Sequence, residues 1–358
     1  MSQSKIVINA TALDRGGALT ILKQFINAVP NDELSYLIFV SSKITIENRH
    51  SNITLVKVDV KSFIKRFFWD AWGLKKYLKR NNINPIAGIS LQNTNFRIGC
   101  DVPNFVYYHQ PIPFYDVFWS PLNAQQRLMW FYKHIYPFFV KLFINSKTEI
   151  FVQLKYIKYG FAKKINFPQD RIHIITPDIN IPQVEEVNIV ELERNKINLF
   201  YPAMPYFYKN HKVIIDAISK LKTSNVVLYL TCNKEDLNYD FKDIVICFMG
   251  VISYEKVLHM YNKADALLFP SYIETFGLPL IEAASFGIPV LAADLPYSRE
   301  VLKGYTGVQF LDFADSDKWA LSISKLEKEK RYKPFSFNGT NSWQELFRIV
   351  KDKISNNV

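Results

Sequence analysis

The chain has 358 residues, 49% of them hydrophobic, 15% aromatic and 22% charged, which excludes a disordered chain and favours two domains over one core. The net charge of +11 is lopsided: residues 1–180 hold 23 Lys and Arg against 11 Asp and Glu, and residues 181–358 hold 21 against 22. The first half therefore favours an anionic partner such as a phosphate, a nucleic acid or an acidic membrane surface.

In chain order, Ser4 to Asn9 (SKIVIN) reads as a buried strand, Asp14-Arg15-Gly16-Gly17 as a turn, and Ala18 to Val29 as an amphipathic helix. This strand, glycine turn and helix open a doubly wound α/β domain. Leu37–Val40, Ile53–Val60, Ile86–Leu91, Phe105–Tyr108 and Glu149–Val152 continue as strands, with helical stretches rich in Lys and aromatic residues between them. The polar segment Asn180–Asn195 reads as a linker. The pattern then restarts with strands at Ile197–Tyr201, Asn225–Thr231, Ile244–Met249, Ala266–Phe269 and Pro289–Ala293. Helices are expected at Val213–Leu221, Tyr254–Asn262 and Pro279–Phe286. Two Rossmann-like halves would place a ligand cleft at the carboxyl ends of two parallel sheets.

Cys100, Cys232 and Cys247 are far apart and form no C-x-x-C pair, which supports neither a zinc cluster nor a disulfide framework and suits a reducing compartment. The first residues lack a signal-peptide pattern. The most apolar stretch, Trp130–Ile144, is broken by Lys133, His134, Pro137 and Lys141, so no transmembrane helix is expected.

The chemistry concentrates in Phe269–Glu300. Pro279 suits a first helical turn and Gly287 a helix end. Glu274 falls in the loop before this helix and Glu282 in its first turns. The helix start, with Gly277 permitting close approach, is an anion site suited to a diphosphate. Two carboxylates beside it make sense as acceptors of sugar hydroxyl groups.

This segment resembles the retaining glycosyltransferase family 4, of the two-domain GT-B fold. The resemblance is carried by Glu274-Thr-Phe-Gly-Leu-Pro-Leu-Ile-Glu282, with Phe269-Pro270-Ser271 before it and Gly287-Ile288-Pro289-Val290 after it. It implies that Glu282 binds the ribose of a nucleotide-sugar donor and Glu274 the donor sugar. Backbone amides around Phe276, Gly277 and Leu278 would meet sugar or diphosphate, and the Gly16-Gly17 loop would sit against the same groups. Lys209, beside Asn210, matches the family's diphosphate-neutralising lysine. The arginine that often accompanies it is missing between Pro202 and Tyr208, with Arg15 as a candidate substitute. His109, in Tyr107-Tyr108-His109-Gln110-Pro111, would make a polar contact to the sugar. Ser90-Leu91-Gln92-Asn93-Thr94 reads either as acceptor pocket or as plain turn.

Asp315-Ser316-Asp317 precedes a helical pattern and reads as a cap, so no metal and no other cofactor is expected. Lys61–Arg80 holds seven basic residues, one acid and six aromatics, which fits either an interfacial helix on an anionic bilayer or a solvated helix with a buried aromatic face. No nucleic-acid module is recognised.

The expected architecture is thus an α/β GT-B protein with three parts. Residues 1–180 form an acceptor domain, 195–340 a nucleotide-sugar domain, and 341–358 a helix crossing back to the first. The expected function is retaining, metal-independent transfer of a sugar to a lipid-linked glycan in O-antigen or capsule assembly. It would take place in the cytoplasm, peripheral to the inner face of the cytoplasmic membrane. An epimerase or phosphorylase on the same fold, or a non-catalytic scaffold, are the rival readings.

Overall fold

The computed structural model describes residues 4–47, 50–60, 62–179, 181–182, 191–221, 225–241, 244–337, 339 and 343–356. Lys61, Ser342 and most of the expected linker at 180–195 lie outside the described residues. The chain divides into two units, Met1–Asp178 with Gly339–Val358, and Ile179–Asn338.

The first unit contains β1 (Lys5–Ala10), α1 (Gly16–Ala28), β2 (Ser35–Ser41), β3 (Ile53–Val58), α2 (Phe63–Phe68), a π-helical turn (Trp69–Gly73), α3 (Leu74–Arg80), β4 (Pro85–Ser90) and β5 (Asn104–Tyr108). It continues with α4 (Arg127–His134), α5 (Tyr136–Lys141), β6 (Thr148–Val152), α6 (Lys155–Ile165) and β7 (Ile172–Ile174). The second unit contains β8 (Ile197–Tyr201), α7 (His211–Ser219), β9 (Val226–Leu230), β10 (Ile246–Phe248), α8 (Tyr254–Lys263), β11 (Ala266–Phe269), α9 (Leu278–Ser285), β12 (Val290–Ala293), α10 (Pro296–Val301), β13 (Val308–Leu311) and α11 (Ser316–Ile323). A last helix, α12 (Trp343–Ser355), belongs to the first unit.

Both sheets are parallel. Their orders are β3-β2-β1-β4-β5-β6-β7 and β10-β9-β8-β11-β12-β13. Each reverses direction once, between β1 and β4 in one sheet and between β8 and β11 in the other. Ligands of open α/β sheets bind at such switch points. The central strands are largely buried and mostly apolar, with Asn9 of β1, Ser90 of β4 and Asn198 of β8 as buried polar exceptions.

Gly16 and Gly17 do not form a separate turn. They are the first two residues of α1, with Gly16 at φ +55°. The aromatic, basic region is also more divided than its sequence suggests. Leu74 and Leu78 of α3 are buried, whereas Ile64, Phe68 and Trp72, spaced by four along α2 and the π turn, are exposed. Phe138 and Leu142 are exposed at or just beyond α5. No helix among the described residues is long and apolar enough to cross a membrane.

Helix α12 completes the first core. Trp343 is fully buried against Phe25 of α1 and Tyr107 of β5, with ring centroids 5.8 and 5.1 Å away. Gln24 ties this corner together. It accepts from Trp343 Nε1 at 3.2 Å and from the Asp178 amide at 3.1 Å, and donates to the Asp178 carbonyl at 2.7 Å.

Candidate functional site

In the second unit, the loop after β8 and the loop after β11 lie side by side at the switch point. The Tyr272 amide donates to the Tyr208 carbonyl at 3.0 Å, joining the two loops. The Tyr201 hydroxyl donates to the Lys209 carbonyl at 2.5 Å. This backbone support aims the Lys209 ammonium at Glu274, and the two side chains form an ion pair. Both are mostly buried, and the Lys209 nitrogen also lies 5.8 Å from the centroids of the Tyr208 and Phe269 rings. Asn210, in the left-handed region at φ +58°, spends its side-chain amide on the carbonyls of Phe313 (2.7 Å) and Pro270 (3.4 Å), fixing the loop where it enters α7.

Four residues after Glu274, α9 begins. Gly277 precedes it at φ +83°, a conformation that favours glycine, and Pro279 occupies its first turn. The first amides of a helix lack intrahelical partners and carry the positive end of its dipole. Phe276 is buried against Phe337, with centroids 5.5 Å apart. Glu282 is buried one turn inside α9. Its carboxylate accepts from the Tyr254 hydroxyl at 3.0 Å and from the Tyr261 hydroxyl at 3.2 Å. Burial pushes its pKa up, and the two hydroxyl donors pull it partly back. Sequence reasoning missed both tyrosines. Their spacing of seven on α8 is the signal, since it puts them on one face.

The helix ends at Gly287, φ +71°, where a Cβ would come within 2.3 Å of the Tyr332 carbonyl oxygen. Asp315 caps α11 by accepting from the Lys318 amide at 3.1 Å, and Asp317 pairs with Lys220 at 2.8 Å. Among the described residues no group of three His, Cys, Asp or Glu is placed to hold a metal ion.

The remaining candidates belong to the first unit, which has a cavity of its own of about 190 Å³ at the β1/β4 switch point. His109 lines it, together with Gln92, Asn93 and Thr94. The His109 amide donates to Asn93 Oδ1 at 2.6 Å, and burial lowers the ring's pKa to about 4, so the imidazole is neutral at physiological pH. Gly16 and Gly17 lie on the surface near this rim, and a Cβ at either would meet nothing within 4 Å. Arg15 is exposed, 3.8 Å from Asp14.

Sequence reasoning also missed Asp70. It sits on the π turn, almost fully buried, on the cavity wall. Asn9 Nδ2 donates to its Oδ1 at 2.7 Å. Gln92 Nε2 donates to Oδ1 and Oδ2 at 3.0 and 3.2 Å, and Thr94 Oγ1 to Oδ2 at 3.3 Å. Burial raises its pKa to about 7 against the lowering effect of these donors and of Arg66. The only sequence signal is one acid among seven bases.

Residues 185–341 match the family model of glycosyl transferases group 1. With the two Rossmann-like sheets, the fold is of GT-B type, and the segment similar to group 1 glycosyl transferases lies almost wholly in the second unit. The chain is similar to the O-antigen chain mannosyltransferase RfbU of Salmonella typhimurium, 24% identical over 206 residues, covering 55% of this chain and 56% of that protein. It thus spans about half the length of the curated relatives it matches. Among solved structures, sucrose-phosphate synthase from Thermosynechococcus elongatus superposes with a TM-score of 0.63 at 14% identity, over 90% of this chain and 89% of that one. Anabaena HepE in complex with UDP and glucose gives 0.58 at 13% identity, over 89% of each chain. At these identities the solved structures show a shared fold.

Proposed function

We propose that the protein is a retaining, metal-independent glycosyltransferase of family 4 that moves a sugar from a nucleotide-sugar donor to a hydroxyl of a lipid-linked glycan, in O-antigen or capsule assembly. The observation that carries this reading is the convergence of Lys209, Glu274 and the α9 start at the switch point of a group 1 domain. A cation and a helix N-terminus are the means of holding a diphosphate without a metal.

In this reading Glu282 takes the ribose hydroxyls and Glu274 the sugar hydroxyls. Lys209 and the amides of Phe276, Gly277 and Leu278 meet the diphosphate, while Asn210 holds the Lys209 loop in place. In the first unit, Gly16 and Gly17 offer open backbone, and His109, neutral, is a polar wall of that unit's own cavity. The bond from the anomeric carbon to the diphosphate breaks on the face where the bond to the acceptor oxygen forms, and the departing phosphate oxygen takes the acceptor's proton. The likeness to an O-antigen mannosyltransferase supports the pathway class. The exposed Ile64, Phe68, Trp72 and Phe138, set among the basic residues of the first unit, support peripheral binding at the inner face of an anionic cytoplasmic membrane.

The test is a panel of UDP-, GDP- and dTDP-sugars followed by ligand-observed NMR and slow donor hydrolysis, with and without EDTA. Binding of one nucleotide class with hydrolysis that survives EDTA is expected. Loss of hydrolysis in EDTA overturns metal independence, and binding of no donor overturns the transferase. An inverted anomeric product overturns retention.

A further inference from the structure

We propose that Tyr254 is a positioning residue of the donor site: its hydroxyl turns the Glu282 carboxylate so that both oxygens accept from one vicinal diol, which makes Tyr254 a determinant of ribonucleotide preference. This rests on the assignment of Glu282 to ribose above.

The two tyrosines that hold Glu282 are not equivalent. Tyr254 is the first residue of α8 and Tyr261 lies seven residues on, so both reach the same side of the helix, where α9 packs. Tyr261 is fully buried, with the ring centroids of Phe200 and Phe286 at 5.5 and 6.1 Å. Its hydroxyl donates to Oε2 at 3.2 Å. Tyr254 donates to Oε1 at 3.0 Å, yet it is 44% exposed, whereas Glu282 itself is only 8% exposed. Tyr254 thus stands on the solvent side of a carboxylate that the protein covers elsewhere. A ligand hydroxyl that comes to Glu282 from solvent arrives beside it.

The acceptor count is specific. An ionised carboxylate has about four lone-pair sites, two on each oxygen. Among the described residues each oxygen of Glu282 accepts one hydrogen bond, from a different tyrosine, so each keeps capacity for one more. Both hydroxyl donors favour the ionised, acceptor-only form, against the burial that raises its pKa. Two acceptors on one carbon match two hydroxyls on adjacent carbons. A phosphate would be repelled by the charge. A metal ion would find too few ligands, since among the described residues no group of three His, Cys, Asp or Glu is placed to hold one.

The Tyr254 hydroxyl contributes little to stability. Water can replace it on a half-exposed side chain, which it cannot do at Tyr261. What water does not supply is a fixed direction. Without the tether to α8, Oε1 is free to turn, and the carboxylate stops presenting both oxygens to one diol.

Calorimetry of the full chain compares UDP, GDP and ribothymidine diphosphate, each with its 2′,3′-dideoxy counterpart, in the wild type, Tyr254→Phe, Glu282→Ala and the double variant. Thermal melts report folding. For the base that binds, the wild type should prefer the ribonucleotide by at least about tenfold. Tyr254→Phe should cut that preference by about three- to tenfold, with dideoxynucleotide affinity and melting temperature unchanged. In the Glu282→Ala background the same substitution should change nothing. The inference is overturned if Tyr254→Phe keeps the wild-type preference, if it weakens both nucleotides equally, or if it acts as strongly without Glu282. In those cases the ribose assignment stands as long as Glu282→Ala loses the preference. A wild type with no preference, or a preference that survives Glu282→Ala, removes Glu282 from the ribose site and this inference with it. Binding of no nucleotide overturns the transferase reading as well.

Discussion

Lys209 follows β8 and Glu274 follows β11, 65 residues apart in sequence, and the reversal of strand order in the second sheet brings their side chains into one ion pair. Each therefore holds the other's charge before any ligand arrives. In the proposed site a diphosphate competes with Glu274 for Lys209. Glu274→Ala should bind nucleoside diphosphate as tightly as the wild type or more tightly, while sugar transfer falls by at least ~10²-fold. Lys209→Ala should weaken the same binding about 10- to 100-fold, or about 1.4–2.8 kcal/mol. Calorimetry and initial rates check both. Weaker nucleotide binding in Glu274→Ala would contradict the competition.

Glu282 and its two tyrosines predict a pH-dependent coupling. The folded pKa of Glu282 is raised above its ordinary 4.5, so its contribution to stability is lost as pH climbs through that value toward the folded pKa. Tyr261→Phe removes a donor to the buried carboxylate, at a cost of about 1.5–3 kcal/mol when it is ionised. The loss should be larger at pH 8 than at pH 4.5, as measured by urea denaturation. Equal losses at both would deny the ionised state.

The same position makes a separate prediction about the ligand. If Glu282 grips ribose, Glu282→Ala should erase the preference for a ribonucleotide over its 2′,3′-dideoxy counterpart, whichever base binds. A preference that survives the substitution would remove Glu282 from the ribose site.

Asp70 titrates from about 7 in the fold against 3.8 without it, so the folded state holds an extra proton between those values. Stability should fall by up to about 4 kcal/mol as pH rises from about 4 to about 7, and be flat above. His109 and His211, both pushed down to about 4 chiefly by burial, act in the opposite sense between about 4 and 6.5 and mask this slope in the wild type. The difference between wild type and Asp70→Asn isolates it, because His109, Arg66, Tyr132 and Tyr136, the other titratable groups that line the cavity, are common to both proteins. A flat difference curve from pH 4 to 8 would show that Asp70 ionises as an ordinary aspartate.

Gly287→Ala combines a left-handed backbone with a methyl group driven into the Tyr332 carbonyl, which is main chain and cannot rotate away. A loss of more than about 2 kcal/mol is expected, and with it a drop of roughly 5 °C or more in the melting temperature.

The strands that the sequence yields to the residue are Ile197–Tyr201 and Ala266–Phe269, because both are buried on both faces and apolar but for Asn198. The short strands β7 and β13 went unread. They lie at the sheet edges, are only partly buried, and carry His173 and Gln309 in place of an unbroken apolar run. In the site, Glu274, Glu282 and Gly277 were legible from local spacing and Lys209 from the family resemblance, but the ion pair was not, since it depends on strand order. Asp70 was hidden for a different reason. A π turn shifts the phase of the helix, so a residue embedded in a basic surface run turns inward, where Asn9 arrives from β1 and Gln92 from the loop after β4.

Helix α12 has a consequence for the order in which the chain is made. Its Trp343 plugs the core formed by α1 and β5, yet it leaves the ribosome only after the whole of Ile179–Asn338. The first unit to emerge is therefore the last to be finished. During synthesis the second unit is free to fold as an uninterrupted segment while Phe25 and Tyr107 still wait for their partner, and a chain stalled or clipped before residue 343 would display an aromatic wound in an otherwise assembled sheet.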